Sequence, residues 1–309
     1  MRIILILNEN DSHFNKNIEY FFRYNGNMNN DLLNRFLIKN SPIRGNIIKI
    51  QNSLEQLKTS LEIPEQIKEA FTQIITVCPM LAGTLKFDGG LILQIQGKKD
   101  LKLMIAESDD QFNIRGTLKL NQKTEKSFEE LIKDAIFALT IVHKDQKAPY
   151  QGIIEIGSGN VKDMIEHYLT QSMQLKSRVF FYQTSTVSYG VLFQELPHEN
   201  EDDRLKLEKL WAAINQIEIS NLRNSPSKFL GDLFPDEDIQ IYEEHLVNYK
   251  CSCSQEKIFK TISLINADEI YASLKNDVVE MVCEYCQKKY LVTKNEIDII
   301  FKKNTQILN

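Results

Sequence analysis

Four of the chain's 5 cysteines, Cys251, Cys253, Cys283 and Cys286, fall in two short runs, CSCSQEKI and VVEMVCEYCQKKYLV. Thiolates are soft ligands, and four of them complete the tetrahedron that zinc prefers. Cys283-x-x-Cys286 lies between two strand-like runs, Val278–Val282 and Lys289–Val292, the setting of a metal knuckle. A thioredoxin-type pair would instead open a helix in a βαβ pattern. The Cys251-x-Cys253 half is a tighter bite than the common Cys-x-x-Cys. In a reducing cytosol such a cluster is a metal or redox site rather than a disulfide framework.

The same four residues point to a switch. Oxidation most easily joins neighbours, Cys251 with Cys253 and Cys283 with Cys286. These loops are short, so each disulfide restrains the unfolded chain by roughly 1.5–2 kcal/mol. Zinc in a small thiolate site contributes on the order of 10–16 kcal/mol to folding. Local disulfides cannot replace that, so oxidation is expected to release the metal and unfold this part of the chain. A Cys-x-Cys ring is strained and readily reduced, which makes the change reversible. Lys250, Lys257, Lys288 and Lys289 are close in sequence. They could stabilise thiolates, although a solvated surface lysine is the simpler reading of each one. Cys78, in the apolar run ITVCPML, reads as a buried packing residue.

A scaffold must position these sulfurs. The chain has 309 residues, 42% hydrophobic and 26% charged, the balance of a folded globular protein with two or three domains. Its net charge of -5 lacks the basic footprint of a nucleic-acid binder. The run Ile3–Leu7 is too short for a signal-peptide core and reads as a strand. No segment approaches the roughly 18 apolar residues of a membrane span, so the expectation is a cytoplasmic protein.

Residues 35–197 read as one α+β body. Ile67, Ala70, Phe71, Ile74 and Ile75 recur at helical spacing within Pro64–Met80. Strand-like runs follow at Gly83–Phe87, Leu91–Gln96, Leu101–Ala106 and Phe112–Leu120, separated by turn residues, which predicts an antiparallel meander. Gly152–Ile156 predicts a strand and Val161–Gln174 a helix. Val179–Tyr182 and Tyr189–Glu195 predict a closing hairpin. After Pro197 the polar run His198–Asp203 starts a linker. Leu207, Leu210, Trp211 and Ile214 then mark an amphipathic helix capped by Asp202 or Asp203. A second helix starts with Ser225 as cap and Pro226 at its first position, with Phe229, Leu230, Leu233 and Phe234 as its apolar face. Such charged helices are stable only when docked. The expected organisation is a core over 1–197 (with 1–31 unassigned), a helical linker over 198–250 and a small zinc-binding domain over 251–309.

The sequence resembles the 33 kDa chaperonins, the redox-regulated heat-shock holdases of bacteria. The likeness is carried by CSCS…CEYCxxxY and by SPIRGNIIKI (41–50), LAGTLKFDGGLILQIQG (81–97), NIRGTL (113–118), YQGIIEI (150–156), EHYLTQSMQL (166–175) and SPSKFLGDLFPDEDIQIYE (225–243), in order. It runs from about residue 32 to 300, and residues 1–31 match poorly. Gln287 stands where other members often carry a different polar residue.

The resemblance implies a reduced, zinc-bound form with little chaperone activity, the metal held by Cys251, Cys253, Cys283 and Cys286. Peroxide or hypochlorous acid, helped by unfolding stress, forms the two local disulfides, expels zinc and unfolds the linker. The activated form, often a dimer, binds unfolding client proteins without ATP. No phosphate loop, dinucleotide fingerprint or nucleophile elbow marks an enzyme. His13, His143, His167, His198 and His245 are scattered, and His245 is the one candidate substitute ligand. The rival readings are a zinc-ribbon module binding nucleic acid or the translation machinery, and a dithiol oxidoreductase using Cys283 and Cys286.

Overall fold

Strands β1 (Leu32–Ile38) and β2 (Ile43–Ile50) carry apolar residues at both parities, the pattern of a sheet buried on two faces. β2 pairs antiparallel with β1 and with a later strand, β9 (Ser188–Glu195), whose other neighbour is β8 (Ser177–Gln183). Leu33, Ile48, Ile50 and Leu192 point into one core. Phe36, Ile38, Ile43, Ile47, Val191 and Phe193, on the opposite face, point into another. This computed structural model describes residues 30–85, 88–145, 148–156, 159–197 and 204–307. It divides into two units, Met1–Tyr249 and Lys250–Asn309.

The second sheet of the first unit is the expected meander, β3 (Gly89–Gln96), β4 (Leu101–Asp109) and β5 (Asn113–Leu120). β6 (Ala135–His143) and β7 (Tyr150–Ile156) continue it on the far side of β3. Helix α1 (Asn52–Ser60) starts where the Asp31 carboxylate accepts the N–H groups of Gln51, Asn52 and Ser53 at 2.6, 2.9 and 2.7 Å. Helix α2 (Glu65–Ala82) follows and packs against both sheets. Thr76 Oγ1 lies 2.8 Å from Ser188 Oγ of β9, while the Cys78 sulfur faces the Leu91 carbonyl of β3 at 3.8 Å. Cys78 is fully buried, and burial pushes its thiol well above the ordinary range. The short α3 (Phe128–Leu131) carries a Ser127–Glu130 capping box. Helix α4 (Val161–Met173) ends at Gln174, in the left-handed region at φ 55°.

Over the described residues Gly83–Leu85 the strand expected at Gly83–Phe87 is not formed. Helix α2 runs past Pro79 to Ala82, and the turn is closed by Gly83 N–H donating to Pro79 O and Thr84 N–H donating to Leu81 O. Residues 86 and 87 lie outside the described residues, as do Ile3–Leu7, His13, His198, Asp202 and Asp203. The α+β class holds, but β1, β2 and β6 had no counterpart among the predicted strands.

Helix α5 (Arg204–Asn215), a 3₁₀ turn (Ile219–Arg223) and helix α6 (Pro226–Leu233) cover the outer face of the first sheet. Leu207, Leu210, Trp211, Ile214, Leu222, Phe229, Leu230 and Phe234 bury there against Phe36, Ile43, Val191 and Phe193. Ser225 caps α6 as expected, with Pro226 in its first turn. The rim is polar: Trp211 Nε1 donates to Glu195, Lys206 pairs with Glu237 at 2.8 Å, and Arg178 Nε donates to Asn215 at 3.2 Å. Three short strands follow. β10 (Ile239–Ile241) and β11 (His245–Leu246) pair with β1, and β12 (Asn248–Tyr249) pairs in parallel with β5.

Gly45 of β2 lies under the Phe36 ring. A Cβ there would stand 2.3 Å from Phe36 Cζ and 2.2 Å from the Leu192 carbonyl oxygen. Overpacking of this kind costs about 1–3 kcal/mol. Gly45→Ala is therefore expected to lower the thermal midpoint of the first unit by several degrees. An unchanged melt would show that both the Phe36 ring and the β9 backbone at Leu192 give way freely.

Candidate metal centre

The second unit is built around a small core of Ile262, Ile270, Val279, Val292 and Ile297. Helix α7 (Gln255–Ile262) begins directly after the Cys-x-Cys pair, with Ser254 Oγ accepting from Lys257 N–H at 3.3 Å. Helix α8 (Ala267–Ala272) leads into the hairpin of β13 (Val278–Val282) and β14 (Lys289–Thr293), and α9 (Lys294–Ile307) closes the unit. Thr293 and Glu296 cap α9 reciprocally at 2.8 and 3.4 Å.

Cys283 and Cys286 sit in the turn between β13 and β14, the knuckle setting expected from the sequence. Cys283 N–H donates to Lys288 O and Gln287 N–H donates to Cys283 O, both at 2.9 Å, while Gln287 takes φ 57°. The tight loop aims Lys288 N–H at the Cys286 sulfur, as Cys253 N–H meets that of Cys251.

The turn and the segment before α7 bring four sulfurs together, all within 4.8 Å of one another. Cys251 and Cys283 are 3.6 Å apart and Cys253 and Cys286 3.5 Å, and all four cysteines are free. Zinc–sulfur bonds of about 2.3 Å in a regular tetrahedron put sulfurs about 3.8 Å apart. Disulfide bonding would bring a pair to about 2.0 Å. The donor set thus fits a tetrahedral thiophilic cation.

Electrostatics argue the same way. Burial, followed by the neighbouring sulfurs, pushes the Cys286 thiol up to about 12, and burial also raises Cys251. Burial raises Cys253 too, but the hydroxyl of Tyr290 and the other three sulfurs outweigh it and bring that thiol to about 7. A bound cation would favour the thiolate form of coordinating cysteines.

The flanking lysines mostly turn elsewhere. Lys257 Nζ donates to Ser252 Oγ at 2.9 Å, Lys288 lies 5.1 Å over the Tyr290 ring, and Lys289 pairs with Glu280 at 2.9 Å. His245 belongs to the first unit. Its Nε2 faces Arg35 Nη2 at 3.0 Å and its ring packs on Phe112. It is not a member of the sulfur cluster. Tyr290 Oη, 3.0 Å from the Cys253 sulfur, is a contact that the sequence reading missed.

Two sheets clasping one long helix, with a separate four-thiol unit, define a mixed α+β protein that carries a metal-ready cysteine cluster. The family model for the Hsp33 protein matches residues 31–293. The chain belongs to the Hsp33 family, a family of chaperones, as the resemblance implied. The 33 kDa chaperonin of Methylobacillus flagellatus is 27% identical over 278 residues, covering 88% of this chain and 94% of the relative. That of Pseudoalteromonas translucida is 29% identical over 287 residues, covering 89% and 100%. The crystal structure of the 33 kDa chaperonin (HSP33) from Thermotoga maritima superposes with a TM-score of 0.76 at 19% identity, covering 90% of this chain and 99% of that one. At that identity the likeness speaks for the fold. Among the described residues no helix is long and apolar enough to cross a membrane.

Proposed function

We propose that this chaperone is a redox-regulated, ATP-independent holdase of the cytoplasm. Residues 251–309 form its switch, 198–250 its metastable linker and 1–197 its core. In the reduced state Cys251, Cys253, Cys283 and Cys286 hold a zinc ion. Bound zinc supplies the positive charge that keeps four thiolates together and cross-links the two halves of the motif. Oxidation to Cys251–Cys253 and Cys283–Cys286 disulfides removes the donors. The sulfur cluster carries this reading, because it joins the start of the second unit to its hairpin, in a unit whose own apolar core is small.

The linker supplies the consequence. Undocking α5 and α6 bares Phe36, Ile43, Val191 and Phe193 together with the helices' own apolar faces. A contiguous patch of that kind captures unfolding chains, and two bared faces account for a dimer of the oxidised form. Such capture depends weakly on salt, whereas nucleic-acid binding by a zinc ribbon would fall steeply with salt.

The test is suppression of aggregation of a heat-unfolded client by reduced, zinc-loaded protein and by peroxide-treated protein. Activity after oxidation only, reversed by dithiothreitol plus zinc, supports the switch. Equal activity in both states leaves a constitutive chaperone with a structural metal.

A further inference from the structure

The four sulfurs are not held alike. Cys251 and Cys286 each face a backbone N–H, whereas Cys253 receives the side-chain hydroxyl of Tyr290 at 3.0 Å. Tyr290 lies on β14 opposite Met281 of β13, on the hairpin that carries Cys283 and Cys286. The sulfur it holds comes from the other half of the motif. The contact is therefore a side-chain tie between the two halves, separate from the sulfur cluster itself.

We propose that Tyr290 is a positioning residue of the cysteine site, holding the Cys253 sulfur against the hairpin and raising the oxidant dose at which the site opens. This rests on the redox reading above. Its chemistry with hydrogen peroxide is a two-electron oxidation in two displacements. A thiolate lone pair attacks the peroxide, forming an S–O bond as the O–O bond breaks and hydroxide leaves. A second thiolate attacks the resulting sulfenic sulfur, forming the S–S bond as the S–O bond breaks and a second hydroxide leaves. The Tyr290 O–H occupies a lone pair of the Cys253 sulfur, which withdraws it from the first displacement and keeps it aligned as a ligand. Outer partners of this kind typically change metal affinity by about 10–100-fold.

Tyr290→Phe removes the O–H and keeps the ring over which Lys288 lies. In full-length reduced protein, Y290F is expected to transfer zinc to a chromophoric chelator about tenfold faster or more. It should lose thiols to peroxide faster, and shift the sulfur-to-metal charge-transfer band of the cobalt-substituted protein. Met281→Leu perturbs the facing strand without touching the hydrogen bond, and is expected to change none of these. Wild-type rates and spectrum in Y290F would overturn the proposal. So would equal acceleration in M281L, which would assign the effect to hairpin packing. If the wild-type protein takes up no zinc, the metal reading fails by itself, and thiol-loss rates alone then decide the role of Tyr290.

Discussion

Cys283→Ala protein will purify without zinc, and its residues 250–309 will be unfolded while the first unit stays folded. Five apolar residues make the buried core of the second unit, and cores in domains below about 70–80 residues rarely supply more than about 3–5 kcal/mol. A structural zinc site contributes about 10–16 kcal/mol. Loss of one ligand therefore removes more than the packing can offset. Amide exchange reads the result directly. Protection should vanish at Ile262, Val279, Val292 and Ile297 and persist at Ile48 and Leu192, which are fully buried in the other unit. Native-like protection in metal-free protein would sink the switch, because oxidation would then have nothing to unfold.

Phe229→Ala is the complementary experiment, since it attacks the linker and leaves the sulfurs intact. Phe229 is 3% exposed and packs in the core shared by α6 and the outer face of the first sheet. Truncating a buried phenylalanine costs about 3–5 kcal/mol. Docked segments open locally at less than the global free energy, so most of that cost falls on the linker. The reduced, zinc-loaded variant should suppress client aggregation without oxidant. Trp211, the single tryptophan, is 5% exposed beneath Lys176 and donates to Glu195. Its emission should move to the red in the same variant. A red shift without client capture would mean that the bared sheet face is not the capturing surface.

What the sequence determined by itself was local chemistry. The cysteine spacings and the strands flanking Cys283 and Cys286 are written in consecutive residues, and so are the cap at Ser225, the stripe Leu207–Leu210–Trp211–Ile214 and the meander turns. Each of these depends on neighbours within a few positions, and each was legible. The closing hairpin of the first sheet, β8 and β9, was legible too, but its partners β1 and β2 were not. β2 pairs Ile43 with Glu195 and Ile50 with Ser188, and a strand buried on both faces shows no period-2 pattern to announce it. The helix through Pro79 is predicted as far as Met80, but the run after it reads as a strand, whereas Gly83 and Thr84 are held in a turn by hydrogen bonds back to Pro79 O and Leu81 O. Tyr290 shows the same limit at the site itself. Its place in CEYCQKKY was visible, but its bond to the Cys253 sulfur exists only once β13 and β14 pair and fold the two halves of the motif together. The sequence set which atoms could bind a metal. Long-range pairing, which no local pattern encodes, decided which neighbours hold those atoms and which apolar face the linker covers.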